Sequence, residues 1–204
     1  TAGAGIDTLK GGGANDSYIM AGNLTNADSI VDSSGTDSLT ATLTTATSTP
    51  SISGVETVSL NFNGGVLNAS SITGMTTLSV VDATSTIIAS SLGTDVATLN
   101  QLGGINGVAQ FNYAAAGQTA TYNVTGATEN VINNSTTFGN VSTLTIAGGD
   151  GVVPAATRTL ALGSVNSTTL TGLTVTSAAA DANDTVATGN IVAASLSTLN
   201  VESG

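Results

Sequence analysis

Residues 2–40 read AGAGIDTLK (2–10), GGGANDSYI (11–19), MAG (20–22), NLTNADSIV (23–31) and DSSGTDSLT (32–40). In this frame four nine-residue units approximate the pattern G-G-x-G-x-D-x-U-x, where U is a large apolar residue. Aspartate holds the sixth place of every unit, at Asp7, Asp16, Asp28 and Asp37. Leu9, Tyr18, Ile30 and Leu39 hold the eighth. Glycine is frequent in the first two units and thins out in the last two, where Leu24, Ser33 and Ser34 appear instead.

The pattern has a physical reading. The first six residues of a unit form a turn, because glycine reaches backbone conformations closed to other residues and lets carbonyls point inward. The aspartate adds a carboxylate, and the last three residues form a short strand with U buried. Each unit is then half a coil, and successive turns fall on alternate sides. Asp7 is expected to stack with Asp28, and Asp16 with Asp37 on the opposite side. Calcium takes six to eight hard oxygens at flexible angles, so this geometry predicts about two Ca²⁺ sites. Asn15, Asn26 and the carbonyls of Gly3, Gly5, Gly11 and Gly13 are candidate further ligands. Without metal the stacked carboxylates repel, so folding is expected to be coupled to calcium. The insertion at 20–22 leaves the alternation of sides unchanged.

From residue 41 short β-prone runs alternate with turn residues: Val55–Phe62, Thr76–Val81, Ala97–Leu102, Ala120–Val124, Ser142–Ala147, Arg158–Leu162, Thr168–Thr176 and Ser197–Val201. No window sustains a helical apolar period. Segments such as VETVSL, MTTLSV, VATLNQ, VSTLTI and LSTLNV share one motif, with TATYNV a divergent copy. Its shared positions are Val58, Leu78, Leu99, Tyr122, Leu144, Leu170 and Leu199. A recurrence near 20 residues indicates a coil of stacked rungs. A weaker echo, in VLNASSITG (66–74), IIASSLGTD (87–95) and IVAASLSTL (191–199), suits coil corners built from small residues. Pro50 and Pro154 mark breaks, since proline cannot donate to an inner ladder. The expected fold is all-β: a calcium-binding β-roll over 1–43, then a Thr/Ser/Ala-rich parallel β-solenoid, β-helix-like, over 44–204.

Other acids offer further sites. Asp150 lies in GGDG (148–151), and Asp181 and Asp184 lie in DANDT (181–185); each is a candidate calcium ligand, with a solvated turn as the alternative. Asp82 and Asp95 lie beside strands and could face a metal. Glu56, Glu129 and Glu202 read as surface charges.

Composition narrows the function. Thirteen acids stand against two basic residues, a net charge of −11 in 204 residues. That argues against nucleic acid, which needs a basic footprint, and against an anionic membrane surface. It suits a cation. No apolar run approaches the length of a membrane span, so direct membrane insertion is not expected. Charged residues are only 7% of the chain and aromatics 3%, but mean hydropathy is positive, against the composition of disordered segments. There is no His and no Cys, hence no ordinary catalytic triad and no common zinc site. No phosphate-cradling loop is present, and the six Phe and Tyr are scattered. No enzyme activity is expected. The chain opens on Thr1 rather than Met, which suggests part of something longer.

These features resemble the calcium-dependent surface-layer (S-layer) proteins of Gram-negative bacteria of the Caulobacter and Campylobacter kind, which carry RTX repeats. The resemblance rests on GIDTLKGGGANDSYIMAG (5–22) with ADSIVDSSGTDSLTATL (27–43), on SISGVETVSLNF (51–62), and on the Thr/Ala/Ser/Asn-rich remainder. It implies a structural protein that self-assembles into a homo-oligomeric lattice on the bacterial cell surface after type I secretion. It implies Ca²⁺ on Asp7, Asp16, Asp28 and Asp37, and attachment to cell-surface polysaccharide through a region outside this chain. The alternative is a repeat module of a secreted RTX adhesin or biofilm matrix protein.

Overall fold

The computed structural model describes residues 2, 5–20, 24–44, 47–84, 86–103, 107–125, 131–148, 159–177 and 185–202. The strands are, in chain order, β1 (Thr8–Lys10), β2 (Ser17–Met20), β3 (Ser29–Val31), β4 (Ser38–Leu43), β5 (Ser51–Ser53), β6 (Thr57–Phe62) and β7 (Leu67–Asn68). There follow β8 (Ile72–Thr73), β9 (Thr77–Ala83), β10 (Thr86–Leu92), β11 (Thr98–Gln101), β12 (Gly107–Tyr113), β13 (Gln118–Val124) and β14 (Val131–Gly139). The last are β15 (Val141–Gly148), β16 (Thr159–Ala161), β17 (Ser164–Asn166), β18 (Gly172–Ser177), β19 (Thr185–Ala187), β20 (Ile191–Val192) and β21 (Thr198–Glu202). No helix occurs among the described residues.

The chain is a parallel β-solenoid. One sheet runs along the molecule in the order β2-β4-β6-β9-β11-β13-β15-β18-β21. The other face is a short sheet, β1-β3-β5-β8, continued by β7-β10-β12-β14-β16-β19, with β17 pairing β14 and β20. Successive turns of chain alternate between the two faces, as the nine-residue units predict: β1 pairs β3, and β2 pairs β4.

Strand residues alternate in and out with the two-residue period of extended backbone. In β6, Val58, Leu60 and Phe62 are buried while Thr57, Ser59 and Asn61 are half-buried on the outer side. Each inward residue rests on its counterpart in the next rung: Leu39 on Val58, Val58 on Leu78, Leu78 on Leu99, Leu99 on Tyr122. The core is therefore a column, and each rung is stabilised by its neighbours rather than by one central mass. Outward, Thr57, Thr77, Thr98, Thr121, Thr145 and Thr174 occupy one register line.

The column departs from the expected register after Tyr122. Tyr122 pairs with Ile146, not Leu144; Leu144 pairs with Ala120 and with Leu173, and Leu173 with Leu199. Leu170 is buried but precedes β18. The physical reason is the two-residue period. A slip of two keeps every side chain on its proper face, so spacing alone does not distinguish the alternatives. A bulge between Gln118 and Thr119 absorbs the odd residue.

In the middle of the solenoid Phe111, Tyr122 and Phe138 pack ring against ring at centroid distances of 5.3–5.8 Å. Beside them lies a buried polar network. Tyr122 donates to Gln101 Oε1, and Asn133 Nδ2 donates to Gln101 Oε1 at 3.1 Å and to Thr136 Oγ1 at 3.1 Å. Thr136 passes its own proton to the Leu162 carbonyl at 3.0 Å. Each member is satisfied, the condition under which buried polar groups fix a unique register rather than destabilise the core.

Candidate metal centre

The turn at 11–16 links β1 to β2, and the turn at 32–37 links β3 to β4. The second lies directly on the first. Ser33 Oγ donates to the Gly12 carbonyl at 2.7 Å, Ser34 N–H to the same carbonyl at 3.2 Å, and Ser38 N–H to the Asp16 carbonyl at 3.0 Å. This stacking brings together Asp16, Asp32 and Asp37, each with a carboxylate oxygen within 4.8 Å of the others. Asp32 and Asp37 are buried and Asp16 is half-buried.

Asp32 replaces the first glycine of its unit. Its carboxylate accepts the Tyr18 hydroxyl at 2.5 Å and the N–H groups of Ser33 (2.7 Å) and Ser34 (3.3 Å). Room for it exists only because residue 11, one rung away, is glycine. A Cβ there would lie 1.9 Å from Asp32 Oδ2 and 2.1 Å from Tyr18 Oη. The Tyr18 hydrogen bond holds the Asp32 carboxyl below its ordinary value of 3.8; burial opposes this, and the Ser34 and Ser33 N–H groups add to it. Burial, then the contact with Asp32, pushes the Tyr18 phenol above its ordinary range.

Asp37 Oδ1 accepts Asp16 N–H at 2.6 Å, and Glu56 Oε2 accepts Asp37 N–H at 2.7 Å. Acids thus occupy the same place in three successive rungs, immediately before β2, β4 and β6. Asp37 is 1% exposed, yet its Oδ2 is buried without a hydrogen-bond partner. On the other side of the coil Asp28 Oδ1 accepts Asp7 N–H at 2.9 Å, and Asp28 Oδ2 accepts the Thr25 N–H and hydroxyl at 2.7 and 2.9 Å. Asp7 Oδ2 is buried and unpartnered. The stacks Asp7–Asp28 and Asp16–Asp37 therefore occur as pairs, with unequal surroundings.

The other sequence candidates are placed as follows. Asn15 Oδ1 accepts Thr36 N–H at 2.9 Å, and Asn26 Oδ1 accepts Thr49 N–H at 2.6 Å. Both amides tie one turn to the next. Gly5 and Gly13 are exposed, and Gly11 donates its N–H to the Val31 carbonyl at 3.0 Å. Gly3, Asp150, Asp181, Asp184 and Glu129 lie outside the described residues. Asp82, Asp95 and Glu202 are exposed, away from the cluster. Asp32, which completes the cluster, was not among the expected ligands, and Glu56, expected as a surface charge, is half-buried and accepts the Asp37 N–H. The signal for Asp32 is its place in the repeat, where a carboxylate substitutes for a glycine at a turn start. For Glu56 it is its position one residue before a strand, matching Asp16 and Asp37.

Three carboxylates at such separations repel unless a cation or protons intervene. The exposed Lys10 is the only basic side chain among the described residues. The residues fit a bound metal. All available donors are oxygens, which suits a hard cation rather than zinc. The orphaned Asp37 Oδ2 supplies an unused ligand. Carboxylates on short turns match the irregular, oxygen-rich shell of calcium better than the strict octahedron of magnesium. No family model, curated protein or solved structure matches the chain.

Proposed function

We propose that this chain is a calcium-stabilised structural segment of a self-assembling bacterial surface layer. The observation that carries the calcium reading is the Asp16–Asp32–Asp37 cluster with a buried, unpartnered Asp37 oxygen. A Ca²⁺ held there binds the turn at 11–16 to the turn at 32–37 and cancels their repulsion. The hydrogen bond from Asp37 N–H to Glu56 then couples the site to the next rung. Asp7 and Asp28 offer a second calcium position on the opposite side of the coil.

The assembly part of this reading rests on the resemblance of residues 5–22 and 27–43 to RTX-bearing surface-layer proteins. The protein works at the cell exterior in this reading, with calcium ions and further copies of itself as partners.

Electron microscopy of the purified chain at millimolar calcium tests the assembly. Ordered two-dimensional arrays that dissolve on adding EGTA are the expected result. Monomers at every calcium and protein concentration overturn the lattice role of this segment. Calcium-dependent adhesion to a foreign surface without arrays assigns the chain to a secreted adhesin or matrix protein instead.

A further inference from the structure

A second group of oxygen-bearing side chains lies at the far ends of β4, β6 and β9, remote in sequence from the nine-residue units. The register between β6 and β9 slips there: Leu60 pairs with Val80, but Asn61 pairs with Asp82. Val81 is the extra residue of a β-bulge, and it stands 38% exposed. The next rung is shaped to accept this bulge. A Cβ on Gly103 would lie 2.4 Å from the Val81 carbonyl oxygen.

Bulges re-aim side chains. This one sets Asp82 beside Asn61, and Asn61 in turn pairs with Thr42 of β4. A hydroxyl, an amide and a carboxylate therefore follow one another on neighbouring strands, about 4.8 Å apart per step. With Asn63 and Thr84 they line a cavity of about 210 Å³. Asn61 Oδ1 is buried and has no hydrogen-bond partner. Asp82 Oδ1 accepts Ala83 N–H at 2.7 Å, which leaves Oδ2 for a ligand. A buried acceptor without a donor is unfavourable, and the fold accepts one here beside the bulge.

We propose that this cavity is a separate site for a hard divalent cation of the calcium class, held by Asn61 Oδ1 and the Asp82 carboxylate, with the Thr42 and Thr84 hydroxyls completing the oxygen shell. One carboxylate in place of three makes it the weaker site. It rests on the bulge and the orphaned amide oxygen, not on the N-terminal cluster.

Calcium titration of the ¹⁵N-labelled 204-residue chain, followed by NMR, tests the assignment. The Asn61 side-chain amide and the Asp82 backbone amide are expected to shift saturably, at roughly ten-fold or more higher calcium than the Gly11, Gly12 and Asp37 amides, because fewer charged ligands weaken the site. In Asp82→Asn the Asn61 response is lost and the N-terminal response stays; Asp82 is exposed, so the fold tolerates the change. An N-terminal response with none at Asn61 and Asp82 up to about 10 mM calcium, roughly ten-fold beyond the weak end of known calcium modules, overturns this site alone. An Asn61 response unaltered in Asp82→Asn overturns it too. A response at Asn61 with none at the N-terminal amides instead overturns the cluster as the calcium centre.

Discussion

At the residue scale, the proposed metal centre depends on complementary choices at Gly11 and Asp32. A side chain at 11 would occupy the space of the Asp32 carboxylate and the Tyr18 hydroxyl. Gly11→Ala is therefore expected to destabilise the chain by about 1–3 kcal/mol, the range for overpacking a filled site, and to weaken calcium binding. Gly12→Ala is the control, since its Cβ would meet nothing within 4 Å. Thermal melts and calcium titrations of the two variants check this; equal effects would contradict it. The acid limb has a definite sign. The folded-state pKa of Asp32 lies below 3.8, so its contribution is fully present above that ordinary value and is lost as pH falls through the folded pKa. Tyr18→Phe removes the main cause of the depression, and the acid unfolding midpoint of the metal-free chain should move to higher pH. In base the sign reverses. Tyr18, Tyr113 and Tyr122 all have phenols raised above 10.0, chiefly by burial, so their contribution is present below pH 10 and fades above it; a pH titration by circular dichroism should show base unfolding there. Asp32 was hidden in the sequence because a missing glycine looks like decay of a repeat. It is legible only once the carboxylate is placed in the turn above Gly11.

At the element scale, the inward columns carry the stability. Leu78 is buried between Val58 and Leu99. Leu78→Ala should cost about 2–5 kcal/mol, the range for emptying a core leucine site. Its neighbour Thr77 lies on the outer line, and Thr77→Ser should stay within about 0.5 kcal/mol. Urea unfolding of the two variants separates them; similar midpoints would contradict the column. This scale also shows what a sequence reveals. The long sheet was legible, because its strands combine a two-residue period with a recurrence near 20 residues, and Val58, Leu78, Leu99 and Tyr122 are indeed register partners. The second face was mostly missed. β12 (GVAQFNY) and β14 (VINNSTTFG) mix small, amide and aromatic residues and resemble no other rung. Segments expected as corners, such as IIASSLGTD, supply β10 instead. Small residues serve equally in a turn and in a crowded inner strand, so composition did not separate the two.

At the scale of the whole molecule, stability is a sum of rungs and the interfaces between them, and the acidic turns lie at one end. In the proposed reading, calcium bound there favours the folded state by mass action. Hydrogen bonds link the acids before β2, β4 and β6 along the stack, from Asp16 through Asp37 to Glu56. The fold class was therefore readable from periodicity, while the acidic cluster was readable in outline: the repeat located Asp16 and Asp37, and only the packing of one turn on the next added Asp32. The most direct measurement is the thermal melt of the chain in calcium and in EGTA, for the wild type and for Asp37→Asn, which keeps the size of the side chain and removes its charge. Calcium is expected to raise the melting temperature of the wild type, and to raise that of Asp37→Asn by clearly less, since only the other proposed positions remain. Coincident melts of the wild type in calcium and EGTA would contradict the account.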